Sequence, residues 1–169
     1  SLTPPLCAMM RDPMLQDRYV HGLEKLLELT GKELERTRHD PVFHELARFY
    51  HDRLHHCRQM FCDRYRRDLV GAFRKFQDAG VLEIITCGAT HGFLPLMREF
   101  PQAVRAQIQV ARNDYRNCFG RDPRGIWLPE CAYYPGVENY LQEAEIRWFI
   151  LDAHGVLYAE PRPAYGVFA

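Results

Sequence analysis

From Asp17 to about Thr37 the positions Tyr19, Val20, Leu23, Leu26, Leu27, Thr30 and Leu34 recur at three- and four-residue steps. Glu24, Lys25, Lys32, Glu33 and Arg36 lie on the other face. This period predicts an amphipathic helix. A second run opens after Asp40-Pro41, a capping residue followed by a proline in the first turn. It continues through Phe43, Leu46, Phe49, Tyr50, Leu54, Cys57, Phe61, Tyr65, Leu69, Phe73 and Phe76 before Gly80 ends it. No proline or glycine interrupts it between Pro41 and Gly71, so one very long helix or two in series is expected. Residues 16–79 thus read as a long helical insertion projecting from a sheet, and residues 1–16, rich in turn formers, as the tail of a strand and the loop after it.

Beyond Gly80 the pattern changes period. Val81 to Cys87 is short and β-branched and reads as a strand, followed by the glycine-flanked loop Gly88-Ala89-Thr90-His91-Gly92. A helix from Pro101 to Phe119 is marked by Val104, Ile108, Ala111, Tyr115 and Cys118, and Gly120 closes it. A strand from Gly125 to Leu128, a helix from Val137 to Ala144 and a strand from Trp148 to Leu151 complete the series. Alternating strands and helices are the signature of parallel β/α units, whose functional groups gather at the carboxyl ends of the strands. His91, Glu130 and the pair Asp152 and His154 fall at those ends.

Composition narrows the chemistry. The 169 residues suffice for one domain with a substantial core, and 47% apolar against 26% charged residues is a globular balance. Lys+Arg and Asp+Glu both number 22, so no basic excess marks a nucleic-acid surface. The six cysteines form no C-x-x-C pair and read as reduced thiols of a cytoplasmic protein. No leader and no membrane-spanning apolar run is visible, so neither secretion nor membrane contact is expected. The opening Ser1-Leu2-Thr3-Pro4-Pro5 and the closing Tyr165-Gly166-Val167-Phe168-Ala169 suggest a piece of a longer protein.

The richest stretch is Trp127-Leu128-Pro129-Glu130-Cys131-Ala132-Tyr133. A lone acid at a strand end beside aromatics suits a sugar site, the carboxylate acting on an anomeric carbon and the rings stacking on pyranose faces. With Ala89-Thr90-His91-Gly92-Phe93-Leu94-Pro95 upstream and Leu151-Asp152-Ala153-His154-Gly155 downstream, the chain resembles glycoside hydrolase family 57, and within it the 1,4-α-glucan branching enzymes. The resemblance spans nearly the whole chain.

It implies an α/β fold, a partial, truncated form of a distorted barrel of seven β/α units with the helical insertion, residues 80–169 carrying the site. It implies a retaining reaction on an α-1,4-glucan, with Glu130 as nucleophile forming a covalent glycosyl-enzyme. A second carboxyl group, about 5 Å away, would act as acid and then base. The family's histidine strand would precede Ser1 and its acid/base aspartate would follow Ala169, so the chain alone is expected not to catalyse branching. The sheet edges left by missing strands are expected to promote self-association.

The resemblance makes His91, Trp127, Tyr133, Asp152 and His154 candidate substrate contacts beside Glu130. Each has a plainer alternative. Trp127 lies on the strand itself and could be core; Tyr133 could pack against the loop, orient the nucleophile or stack on a ring. His91 could be structural, and Asp152 could cap backbone amides after its strand. No cofactor and no metal is expected. His51 and His55, one turn apart, lack the glutamate of H-E-x-x-H and a third ligand. The competing activities are 4-α-glucanotransferase or α-amylase chemistry of the same family, and a non-catalytic glucan-binding module. A metal-dependent polysaccharide deacetylase would need an Asp-Asp and His-x-x-x-His set at strand ends, which is not found.

Overall fold

The structure, a computed structural model, describes residues 1–161. The tail of the expected 80–169 region, residues 162–169, lies outside the described residues. The chain forms two compact units, Ala8–Phe73, and Ser1–Cys7 with Arg74–Ala169.

The first unit is a helical hairpin. Helix α1 (Pro4–Arg11), which begins in the other unit, is followed at once by α2 (Pro13–Arg36). The N-terminus is therefore helical, not a strand tail and loop. The reason is local: Pro4 and Pro13 occupy first-turn positions where a missing N–H costs nothing, and Asp12 caps α2 by accepting from the Leu15 amide at 3.0 Å. Helix α3 (Pro41–Gln59) is capped the same way by Asp40 and packs on α2. Between the two helices Thr30 Oγ1 lies 2.9 Å from His51 Nδ1, and the Tyr19 ring of α2 meets Phe61, just past the end of α3, edge-on at 4.8 Å.

The second apolar run is broken without proline or glycine. Helix α3 ends in a π-helical turn (Met60–Arg64), after which Arg66 and Arg67 take left-handed backbone angles, φ 49° and 65°, before α4 (Leu69–Asp78). Two tethers hold the break: Gln16 Nε2 donates to the Arg67 carbonyl at 3.0 Å, and the Arg67 guanidinium pairs with Asp17 at 2.6 Å. Neither is visible to a periodicity reading.

The second unit contains a parallel sheet in the order β1 (Thr86–Cys87), β2 (Gly125–Trp127), β3 (Trp148–Ile150). The α/β class expected from the sequence is present. β1 is shorter than the expected Val81 to Cys87, because only Thr86 and Cys87 find ladder partners, Ile126 and Trp127. Helices α5 (Leu94–Met97), α6 (Pro101–Phe119), α7 (Val137–Glu143) and α8 (Ala153–Leu157) alternate with the strands. Ile126 and Leu128 on β2 and just beyond it are fully buried against Val104 and Ile108 of α6 and Val137 and Leu141 of α7. Strand alternation puts Trp127, between them, on the opposite face.

An ion-pair knot fixes the loop that feeds β2. Asp122 accepts from Arg112 (2.9 Å) and Arg116 (2.8 Å) of α6, and these bonds hold its carboxyl well below the ordinary 3.8, at about 2. Since the folded carboxyl titrates below the unfolded one, its contribution is complete above the unfolded value and is lost as pH falls through about 2. Asp122→Asn is expected to lower neutral-pH stability by about 1 kcal/mol, allowing for solvent screening of a partly exposed group. Denaturant melts should show the difference from the parent closing between about pH 4 and about pH 2.

Candidate active site

Because the sheet is parallel, the ends of β1, β2 and β3 deliver their loops to one edge. Glu130 leaves β2 on a short 3-10 turn (Pro129–Cys131). Leu128 and Pro129 beneath it are fully buried, so the turn is anchored while the Glu130 side chain stays 70% exposed. Glu130 and Cys131 both sit in the left-handed region, φ 58° and 54°, a conformation costing roughly 1–2 kcal/mol per non-glycine residue. The turn is held by amide donation from Cys131 to the Leu128 carbonyl and from Ala132 to the Pro129 carbonyl. His91, after β1, has φ 58° as well. Strained backbone at both residues that project over this edge is where function concentrates such cost.

The two meet: His91 Nε2 lies 2.9 Å from Glu130 Oε1, bridging residues 39 apart in sequence. On its other side, His91 Nδ1 is 3.3 Å from the Sγ of Cys87, the last residue of β1. The loop that carries His91 is clamped by Gln107 of α6, whose Oε1 accepts from the Thr90 amide (3.0 Å), whose Nε2 donates to Thr90 Oγ1 (2.7 Å) and whose carbonyl accepts from the Ala89 amide. Gly88 lets the two loops touch, since a Cβ there would stand 2.9 Å from Pro129 Cγ and 3.3 Å from Gln107 Oε1. Cys87, Gly88 and Gln107 were not among the sequence candidates. The glycines flanking the His91 loop are the signal that could have found Gly88, but nothing in the sequence pointed to Gln107.

An open cleft of about 680 Å³ adjoins the carboxylate, lined by Glu130, Tyr133, Phe149, Asp152 and His154 among others. Tyr133 stacks flat on Phe149, ring centres 5.9 Å apart, and its hydroxyl donates to Glu138 at 3.2 Å instead of to Glu130. Burial raises its phenol pKa, with the nearby Glu138 adding to the effect. Asp152 accepts from the Ala153 amide as the cap of α8 and lies 3.8 Å from His154 Nδ1. Trp127 does not line this cleft.

Among the described residues one group of donors is close enough to share a cation: Cys7, Asp114 and Cys118, with ligand atoms within 4.8 Å of one another. None of them lines the cleft. His51 and His55 meet edge to face at 4.7 Å, and His51 Nδ1 is engaged by Thr30. No helix among the described residues is long and apolar enough to cross a membrane.

The Glu130 carboxylate and the His91 imidazole thus meet at the carboxyl edge of a parallel sheet, the edge where α/β folds gather their functional groups. The family model for glycosyl hydrolase family 57 matches residues 7–169, and the chain belongs to that family. It is 31% identical to a 1,4-alpha-glucan branching enzyme of Thermococcus kodakarensis over 98% of its own length and 26% of the relative's. It is 29% identical to a 4-alpha-glucanotransferase of Thermococcus litoralis over 54% of the chain and 14% of that protein. The crystal structure of an alpha-amylase, AmyC from Thermotoga maritima, superposes with a TM-score of 0.91 at 41% identity, covering 99% of this chain and 32% of that one. The chain thus spans about a quarter of that branching enzyme and a third of that alpha-amylase.

Proposed function

We propose that this chain carries the nucleophile of a retaining α-glucan-acting enzyme, and that the whole protein is a 1,4-α-glucan branching enzyme. The observation that carries the reading is the His91 to Glu130 contact between two strand ends. His91 holds Oε1, so Oε2 is the oxygen that attacks the anomeric carbon. The C–O bond to the departing chain breaks as a second carboxyl group gives its proton to the leaving oxygen. In the return step a glucan 6-hydroxyl attacks the anomeric carbon, loses its proton to that same group, and releases the Glu130 carboxylate. Tyr133, Asp152 and His154 contact the glucan from the cleft, and Trp127 does so from the other face of β2. The three strands form part of a distorted barrel of seven, which supplies the second carboxyl group. The unbridged thiols of Cys57, Cys62, Cys87 and Cys131 fit a reducing, cytoplasmic setting.

Hydrolysis is the second reading, favoured by the likeness to an alpha-amylase at 41% identity. Incubating the full-length protein with amylose separates them. Branching creates 1,6-linkages with no gain in reducing ends, hydrolysis creates reducing ends, and glucanotransfer redistributes linear chain lengths. The expected outcome is 1,6-linkages from the full-length protein and no product from these 169 residues alone.

A further inference from the structure

Cys87 is fully buried at the end of β1, behind the imidazole that braces Glu130. The contact from Cys87 Sγ to His91 Nδ1 (3.3 Å) and the contact from His91 Nε2 to Glu130 Oε1 (2.9 Å) form one chain. A neutral imidazole carries one N–H, so the two contacts are not independent. If Nδ1 bore the proton it would point at sulfur, and the bare Nε2 lone pair would face a carboxylate oxygen. If Nδ1 accepts a proton from the thiol, Nε2–H is left to donate to Glu130, and every group in the chain is satisfied.

We propose that Cys87 is a positioning residue that donates its S–H to His91 Nδ1 and so locks His91 in the tautomer whose Nε2–H holds the Glu130 carboxylate. This rests on the reading of Glu130 as the nucleophile only for its catalytic consequence; the tautomer itself does not depend on it. Burial pushes the Cys87 thiol pKa up, opposed in part by the Gly88 backbone hydrogen bond and aided by the nearby Glu130 charge, so the sulfur keeps the proton that it donates. An ionised thiolate would instead draw the proton to Nδ1 and undo the brace. The geometry of the chain is maintained from behind by Gln107, which clamps the intervening Ala89 and Thr90.

The test uses the full-length protein labelled with 15N-histidine, with His91 assigned by its absence from the His91→Gln variant. Nitrogen shifts are expected to show the Nε2–H form in the parent and in Cys87→Ser, which keeps a donor, and a mixture of tautomers in Cys87→Ala. The Cys87→Ala protein should lose about three- to tenfold in kcat with KM unchanged, the value of one weak buried hydrogen bond. His91→Gln keeps a donor at the ε position without needing the thiol, so adding Cys87→Ala to it should change kcat no further. An Nδ1–H form in the parent, or Cys87→Ala indistinguishable from the parent in both shifts and kcat, overturns the proposal. If instead the tautomer behaves as expected while Glu130→Gln retains full activity, the nucleophile reading fails and the tautomer lock stands.

Discussion

Replacing Glu130 by glutamine in the full-length protein is expected to lower glucan turnover by at least about 10³-fold, the scale seen when a covalent nucleophile is removed. Glutamine has nearly the same shape and the side chain is largely exposed, so the fold should melt at the same temperature within experimental error. What it lacks is the charge that forms the glycosyl bond in the proposed mechanism. Shortening the side chain to alanine opens room for a small external nucleophile. With azide present, the Glu130→Ala protein should regain part of its rate on an activated donor and give a glycosyl azide of inverted configuration, because one displacement has replaced two. A Glu130→Gln protein with unchanged kcat would remove the carboxylate from the mechanism.

The second large effect is expected at a residue with no chemistry of its own. Gly88→Ala should lower kcat by about 10²-fold, the cost of misplacing reacting groups by about 1 Å. The added Cβ would meet Pro129 at 2.9 Å and Gln107 at 3.3 Å, and Pro129 opens the turn that holds Glu130. Relief must move one strand-end loop away from the other, and the His91 to Glu130 contact is what spans them. Stability should fall by about 1–3 kcal/mol, as overpacking of a tight site does. Gly22→Ala is the control: a Cβ there meets nothing within 4 Å, and activity should be unchanged while the helix gains stability. Steady-state kinetics and thermal melts of the two variants side by side check both.

The contrast between Gly88 and Glu130 shows which parts of this protein were legible in its sequence. Glu130 was legible as a candidate, since parallel β/α alternation places a carboxylate that follows a short apolar strand at the carboxyl edge of the sheet. The same logic located His91, Asp152 and His154 at the same edge, the last two on the Glu130 cleft. Asp40-Pro41 was readable as a helix start because the capping side chain and the proline act within one turn. Asp12-Pro13 works identically but was masked by turn formers on either side, so the helical N-terminus was missed. The break at Arg66 and Arg67 depended on Gln16 and Asp17, about fifty residues away, and local pattern carries no such information. The same holds for Gln107, whose role exists only once α6 lies along the His91 loop, and for Cys87, whose meaning comes from one hydrogen atom. Tyr133 illustrates a different limit. Its place on the Glu130 cleft was foreseen, but not that its hydroxyl would donate to Glu138 instead of to Glu130.

The strain in the site follows from the same contacts. His91, Glu130 and Cys131 each occupy a left-handed backbone position that glycine would fill more cheaply. On the proposed function the His91 and Glu130 side chains are needed at those positions, and the backbone bends to present them. Two anchors offset the cost: the buried Leu128 and Pro129 under the turn, and the Gln107 clamp over the His91 loop.

The central claim, that Glu130 forms the glycosyl bond, is tested most directly by trapping the intermediate. The full-length protein, incubated with an activated α-glucosyl fluoride that reacts quickly and hydrolyses slowly, is quenched, digested and read by mass spectrometry. The expected result is a glucosyl adduct on the peptide containing Glu130, located on that residue by fragmentation and absent from Glu130→Gln. A covalent adduct on Asp152 or any other residue, or product of inverted configuration with no adduct, would contradict it.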